Sequence, residues 1–268
     1  MNLASLATVK SLAQKYNITP KRFSSQNFLI DARAVSRIID AANLSTQDTA
    51  LEIGPGFGVL TRAIAEYAGY VIAVEKDSRM VEALAETLAD IKNIEVMHND
   101  ALLATYPSLP NQFKLISNLP FSITSATIQK FLSAEHQPSR MVVLLQREVA
   151  ERIVARPPHT GFLSVFAQFF GDAEIISYVG ASSFWPRPRV ESAVVRVKNI
   201  KHRGSSDRER AFFNLVGRAF RNPRRQTKHV IPRELLARAE IDPSTRPGAV
   251  SMESWMRMFH AFEIFDSN

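Results

Sequence analysis

The sequence predicts an α/β fold: a Rossmann-like, doubly wound and mostly parallel sheet, followed by a small all-helical C-terminal domain. Three observations predict it. Short β-rich runs alternate with helical patterns through the first two-thirds of the chain, the pattern of a parallel sheet covered on both faces. A glycine-rich loop, Gly54-Pro55-Gly56-Phe57-Gly58, stands between the first such run and the helix after it. Past a polar stretch at Lys201–Asp207 the apolar period is helical only.

Taken in order, Ala32–Ala42 reads as a helix ahead of the sheet. Strands are predicted at Thr49–Ile53, Tyr70–Glu75, Ile94–His98, Lys114–Asn118 and Arg140–Gln146. Helices are predicted between and after them at Val59–Glu66, Ser78–Leu88, Ser125–Leu132 and Arg147–Ala155. Glu174–Val179 and Val190–Val197 read as two further strands, an antiparallel pair closing the sheet. The tail gives helices at Arg208–Phe220, Pro232–Ala239 and Met252–Phe262, with Pro232 suited to a first turn and Ser251 to a helix start. The expected domains are 1–202, with an N-terminal extension 1–24, and 207–268.

Composition narrows the function. At 268 residues and 46% apolar content the chain can build a core. It has no cysteine, which excludes disulfides, thiolate zinc sites and cysteine nucleophiles, and fits a reducing, cytoplasmic setting. No apolar run approaches the roughly 18 residues of a membrane span, and Met1–Lys15 lacks the layout of a secretory signal. No membrane partner and no metal are expected. The net charge of +7 is uneven: residues 1–184 carry 16 basic and 17 acidic side chains, residues 185–268 carry 17 and 9. The excess after residue 184 reads either as a solvated surface or as a grip on a polyanion. Its densest cluster is Arg221, Arg224, Arg225 and Lys228.

The glycines of the loop are two apart, which is not the GxGxxG dinucleotide spacing, and Pro55 removes a backbone donor from any pyrophosphate cradle. A cofactor without phosphates fits better. Glu75, 17 residues after Gly58, closes the second strand, where a carboxylate can accept both hydrogen bonds of a ribose diol. Asp100 follows the third strand and can accept from an adenine amine. Singly, each acid reads equally as a helix cap; together with the loop, at three successive strand ends, they read as a cofactor site.

The fourth strand ends in Asn118-Leu119-Pro120-Phe121. One reading is a turn stopped by proline with Phe121 in the core. The other starts from chemistry. The lone pair of an adenine exocyclic amine is delocalised into the ring, so the amine is a poor nucleophile. Accepting hydrogen bonds from both its N–H groups favours the pyramidal geometry of attack. The Asn118 side-chain oxygen and a backbone carbonyl near Leu119 supply such acceptors. Pro120 stiffens the turn, and Phe121 stacks on the extruded base.

Together these segments resemble the rRNA adenine-N6 dimethyltransferases, specifically the small-subunit (KsgA/RsmA) type. The resemblance covers nearly the whole chain. It includes Gln26-Asn27-Phe28-Leu29, Glu52–Gly58, Glu75-Lys76-Asp77, Asp100-Ala101-Leu102 and Asn118–Phe121. It continues through Gln146–Arg152, Leu163-Ser164-Val165 with Gln168, Phe184–Val195, and Ala219-Phe220 with Arg224–Thr227. It implies an S-adenosylmethionine-binding sheet, with S-adenosyl-L-methionine held by Asn27, Leu29, Gly54, Glu75, Asp100 and Asn118. It implies catalysis at Asn118, Leu119, Pro120 and Phe121. The implied substrate is two adjacent adenosines in a hairpin near the 3′ end of small-subunit (16S-type) rRNA. The implied partner is that rRNA within a partly assembled 30S-type particle, met by a monomer with a role in subunit biogenesis. The basic cluster would then be RNA-binding.

Departures from the family pattern are Ser25, Asn99, Phe121 and Ala126, where glycine, glycine, tyrosine and proline are commoner. Ser25 and Ala126 also occur in erythromycin-resistance enzymes, which methylate large-subunit rRNA; Leu119 and Arg224–Thr227 favour the small-subunit branch. A catalytically inactive RNA-binding assembly or transcription factor is the alternative from another class, opposed by the intact tetrapeptide.

Overall fold

The central parallel strands form where the sequence is rich in Leu, Ile, Val and Ala, because both faces of such a sheet are covered and no polar alternation is needed. In the computed structural model, which describes residues 1–19, 27–106 and 109–262, the elements run in this order. First come α1 (Leu6–Lys15), β1 (Phe28–Leu29), α2 (Ala32–Ala42), β2 (Thr49–Ile53), α3 (Val59–Ala65), β3 (Tyr70–Glu75) and α4 (Ser78–Thr87). Then follow β4 (Ile94–His98), β5 (Lys114–Asn118), α5 (Thr124–Leu132), β6 (Arg140–Gln146), α6 (Arg147–Val154) and α7 (Phe162–Phe170). The rest are β7 (Asp172–Val179), β8 (Phe184–Trp185), β9 (Ser192–Lys198), α8 (Ser206–Arg221), α9 (Arg233–Arg238) and α10 (Met252–Phe262).

The main sheet has seven strands in the order β4-β3-β2-β5-β6-β9-β7. The first five are parallel, and β9 runs antiparallel to β6, with Gln146 opposite Ser192. From β2 the chain winds outward through β3 and β4, then returns to place β5 on the other side of β2. The strand order therefore reverses between β2 and β5, and the crevice at their carboxyl ends is where such sheets bind ligands. The two late strands expected to close the sheet are neighbours at its edge, with β9 inserted between β6 and β7. A second, two-stranded sheet pairs Phe28 with Trp185 and Leu29 with Phe184.

Helix α2 shows why the local sequence folds as it does. Asp31 caps it, accepting from the amides of Arg33 (2.9 Å) and Ala34 (3.3 Å), and Asn43 ends it in the left-handed region at φ 49°. Its buried face, Ala34, Val35, Ile38, Ile39 and Ala42, joins the cluster around Val142 and Leu144 of β6. Truncating the fully buried Ile38 to alanine would cost about 2–5 kcal/mol.

The chain divides into two compact units, 1–150 with 174–198, and 151–173 with 199–268. The second unit thus takes in α7, which the sequence reading grouped with the first domain and did not identify as a helix. Its pattern hides the period: Phe162, Leu163, Val165, Phe166, Ala167, Phe169 and Phe170 are apolar all round, as in a helix surrounded by protein. Phe169 meets Phe212 at 5.5 Å and Phe259 at 4.9 Å between ring centres, and Phe166 meets Phe213 at 4.6 Å. The polar break at 201–207 is organised by Glu209, only 3% exposed, whose Oε1 accepts from the amides of Arg203 (2.7 Å) and Gly204 (3.2 Å). Pro232 stands at the N-cap of α9, one position before the first turn where the sequence reading put it. Ser251 starts α10 as expected, its hydroxyl accepting from the Ser254 amide at 3.0 Å.

Helix α1 lies in the N-terminal extension, where no helix was predicted. It carries no acidic residue in its first turn and its N-cap Ser5 makes no side-chain bond. What holds it is tertiary: Leu3, Val9, Leu12 and Ala13 pack with Phe28, Phe57, Met80 and Ala83.

Candidate active site

A cavity of about 270 Å³ opens at the crevice between β2 and β5. Every residue expected to hold a cofactor lines it: Asn27, Leu29, Gly54, Glu75, Asp100 and Asn118, together with Leu119, Pro120 and Phe121. Gln26 and Ser25, part of the motif read from the sequence, lie outside the described residues. Leu3 and Val9 from the N-terminal segment, and Glu52, are also in the wall and were not anticipated as site residues. Glu52 was visible two residues before the glycine loop, but a strand carboxylate gives no sequence signal of burial.

The glycine loop is shaped by close approach. Gly54 has φ +66°, and a Cβ there would stand 3.1 Å from Cγ of Pro120. Gly56 has φ +59°, and its Cβ would meet the Phe28 ring at 3.2 Å. The loop after β2 is therefore pressed against the turn after β5 and against β1. Ser117 reinforces the junction, its buried hydroxyl donating to the Ile53 carbonyl at 2.6 Å.

Glu75 ends β3 half-buried. Its Oε1 accepts from the amides of Lys76 (2.7 Å) and Asp77 (2.8 Å), and its Oε2 takes no hydrogen bond from the described residues. Burial pushes its carboxyl above the usual range, against the pull of those two amides. Asp77 has a structural task, capping α4 through the Arg79 amide at 3.0 Å and pairing with the Arg79 guanidinium. Asp100 accepts from the Leu102 amide (2.9 Å) and pairs with Lys76 Nζ (2.7 Å), and its carboxyl is held below the usual range, first by Lys76. Lys76 is well exposed, so this pair is worth little in stability.

Glu52 differs from both. It is 1% exposed, and its Oε2 has no hydrogen-bond partner among the described residues. Desolvation raises its carboxyl to about 8. The Thr61 hydroxyl pulls the other way from nearby, though outside hydrogen-bond geometry, and Glu75 adds like charge.

The tetrapeptide is fixed at each residue. Asn118 Nδ2 donates to the carbonyl of Asn27 at 3.2 Å, and its Oδ1 accepts nothing from the described residues. The Leu119 amide donates to the Leu144 carbonyl at 3.0 Å. The Pro120 carbonyl is already committed to the Ile123 amide (3.1 Å) and the Thr124 hydroxyl (3.2 Å). That leaves the Leu119 carbonyl as the nearby backbone acceptor. Phe121 is half-buried in the cavity wall with a ring that is not absorbed into the core.

A family model described as ribosomal RNA adenine dimethylase matches residues 18–263. The chain belongs to the ribosomal RNA adenine dimethylase family. The chain is 34% identical to the ribosomal RNA small subunit methyltransferase A of Dehalococcoides mccartyi, over 94% of this chain and 92% of that one. It is 37% identical to the enzyme of the same name in Natranaerobius thermophilus, over 85% and 82%. The solved structure of the 23S rRNA methyltransferase ErmE is 28% identical, with a TM-score of 0.73 over 88% of this chain and 100% of that one.

As a member of the ribosomal RNA adenine dimethylases, the chain is a methyltransferase, and the family implies S-adenosylmethionine as methyl donor. The cavity fits that molecule. Among the described residues it holds the carboxyls of Glu52, Glu75 and Asp100 against one ammonium, Lys76, already paired with Asp100. Such a site suits a cation and repels a pyrophosphate. The Gly54–Gly58 cradle and the orphaned Glu52 oxygen provide a close backbone approach and an acceptor without a donor. Among the described residues no cluster of three or more acidic or histidine side chains suited to a metal occurs, and no helix is long and apolar enough to cross a membrane.

In the second unit, Arg221, Arg224, Arg225 and Lys228 are exposed at the end of α8 and the loop after it; the three arginines form no ion pair with a described carboxylate, and Lys228 lies near enough to Asp242 to help the Ser244 amide lower its carboxyl. Glu240 pairs with Arg257 at 3.5 Å. Thr227, within the same motif, is fully buried and anchors the loop: its amide donates to the Thr245 carbonyl at 2.8 Å.

Proposed function

We propose that this dimethyltransferase transfers two methyl groups from S-adenosylmethionine to N6 of each of two adjacent adenosines in a hairpin near the 3′ end of small-subunit rRNA, and so takes part in small-subunit biogenesis. The observation that carries the chemistry is the state of Asn118: its amide nitrogen is spent on Asn27, so its oxygen is the group left to receive an N–H. Small-subunit specificity is supported by the 34% and 37% identity to enzymes named for that subunit, against 28% for the 23S enzyme.

In this reading Asn27, Leu29, Gly54, Glu75, Asp100 and Asn118 hold the cofactor. Glu75 receives the ribose hydroxyls on Oε2, and Asp100 receives the adenine amine. When bound, the cofactor supplies an electrophilic methyl on a sulfonium. Asn118 Oδ1 and the Leu119 carbonyl accept the two N–H groups of the target amine and turn its lone pair out of the ring. Pro120, locked against Gly54, keeps those acceptors in place. Phe121 stacks on the extruded adenine, and its ring face stabilises the positive charge of methyl transfer. The methylated amine is acidic while cationic and gives its proton to solvent, so no strong base is required. The exposed Ser122 leaves room beside Phe121 for the first methyl during the second transfer. Arg221, Arg224, Arg225 and Lys228 grip phosphates. That grip reads little sequence, so a folded 30S-type particle is the substrate in preference to short naked RNA.

The test is mass spectrometry of rRNA from both subunits after incubation of small-subunit particles, large-subunit particles and naked rRNA with labelled cofactor. Dimethyladenosine in small-subunit rRNA supports the reading. Label on large-subunit rRNA alone would favour the resistance-enzyme activity instead, and monomethyladenosine at saturating cofactor would remove the dimethylation claim.

A further inference from the structure

Lys130 has no part in the mechanism above, yet its ammonium N–H groups are spent on one short stretch of main chain. From α5, the helix that follows the tetrapeptide, Nζ donates to the carbonyls of Ala101 (2.9 Å), Leu102 (2.9 Å) and Ala104 (2.8 Å), which uses all three of its donors. Those residues form a single turn after β4. Leu103 and Ala104 donate their amides to the Asp100 carbonyl at 3.0 and 2.8 Å, and Asp100 Oδ1 accepts the Leu102 amide at 2.9 Å. A lone turn fixes several backbone angles for few hydrogen bonds, so it does not hold by itself. Asp100 closes its first end, and Lys130 gathers the carbonyls at its last. Two rings fix the ammonium in turn: Nζ stands 5.2 Å from the centre of Tyr106 and 5.9 Å from that of Phe131. The Tyr106 hydroxyl donates to the same Ala101 carbonyl at 2.9 Å.

Resting on the reading of Asp100 as acceptor for the adenine amine, we propose that Lys130 is a positioning residue that sets the cofactor site's selectivity for the 6-amino group. Asp100 and Ala101 line the cavity and Lys130 does not. Lys130 acts through the turn: it binds the Leu102 carbonyl, and the Leu102 amide binds the Asp100 carboxylate. Without the ammonium three carbonyls lose a donor, the turn loosens, and the carboxylate loses its fixed direction. A loosened carboxylate keeps its charge but no longer separates a purine that offers an N–H from one that does not, because a hydrogen bond weakens steeply with angle.

The experiment is calorimetry with two ligands, S-adenosylhomocysteine and its analogue with hydrogen in place of the 6-amino group. The wild type should bind S-adenosylhomocysteine about tenfold or more tighter than the analogue, the usual worth of a hydrogen bond to a charged group. Lys130→Met, similar in length and without donors, should cut that ratio to below about threefold as the hydrogen-bond angle is lost. Lys130→Arg keeps the charge, but a planar fork cannot meet three carbonyls as an ammonium does, so its ratio should fall between the two. A folded Lys130→Met protein that keeps the wild-type ratio would overturn the proposal, even if both ligands bind more weakly, since a merely structural loosening weakens both alike. If Lys130→Met does not fold, the wild-type ratio in Lys130→Arg overturns it. Asp100→Ala separates this proposal from the reading beneath it. A wild type that does not discriminate, or discrimination that survives Asp100→Ala, would bring down the Asp100 reading, and this proposal with it.

Discussion

Asn118 and Asn27, 91 positions apart, are joined by a single hydrogen bond of 3.2 Å from the side-chain amide of the first to the main-chain carbonyl of the second. The bond turns the Asn118 amide so that its nitrogen faces the Asn27 carbonyl, and in the proposed mechanism its oxygen is left for the target amine. Asn118→Ala should lower turnover roughly 100-fold or more, the scale of removing a transition-state hydrogen bond. Asn118→Asp should also suffer, because an oxygen would then face the Asn27 carbonyl. Single-turnover methylation rates check both, and a near-normal rate in Asn118→Ala would sink the assigned role.

Gly54 couples the loop after β2 to the turn after β5. With φ +66° and Pro120 at 3.1 Å from its virtual Cβ, Gly54→Ala should lose about 1–2 kcal/mol from backbone strain alone. Turnover should fall further than cofactor affinity, since Pro120 must shift. Urea denaturation measures the first effect, and the ratio of kcat to Kd changes measures the second.

Glu75→Ala should weaken S-adenosylhomocysteine binding by about 1.5–3 kcal/mol, the usual worth of hydrogen bonds to a charged group. It should also release the Lys76 and Asp77 amides that Glu75 now receives. Unchanged affinity in a folded Glu75→Ala protein would remove Glu75 from the ribose site.

Stability should depend on pH through Glu52. Its carboxyl is raised when folded, so between about 4.5 and 8 the native state binds more protons than the unfolded chain. Its contribution to stability is therefore full below the unfolded value and is lost as pH climbs through about 8. In the cofactor-free protein, Glu52→Gln should remove this downward trend. The difference in Tm between variant and wild type should grow in the variant's favour from pH 5 to pH 8, and a constant difference would contradict the burial argument.

Arg224→Ala/Arg225→Ala should leave stability within about 0.5 kcal/mol, as both side chains are exposed and unpaired with any described carboxylate. RNA affinity should drop for all sequences, and the slope of log K against log salt should shrink by about 1–2. Filter binding across a salt series reads this directly; an unaltered slope would reduce the cluster to a solvated surface.

Much of this was legible in the chain itself. The strands Thr49–Ile53, Tyr70–Glu75, Ile94–His98, Lys114–Asn118 and Arg140–Gln146 fall where the apolar runs put them. Doubly covered strands and capped helices are written in local composition. The residues proposed for cofactor and substrate were legible as a group because they stand at successive strand ends, and the fold brings them to one cavity. Tertiary structure alone decided the rest. It decided that α1 is a helix and that Leu3 and Val9 wall the cavity, because residues distant in sequence such as Phe28, Phe57 and Met80 give those side chains something to cover. It decided that α7 joins the second unit, since a helix apolar on every side has no face to betray its neighbour. It decided how the Asn118 amide is turned, its nitrogen facing a carbonyl 91 residues away. And it decided the state of Glu52, because the cost of a carboxylate depends on what surrounds it, and that is set by the folded neighbours and not by the residues beside it in sequence.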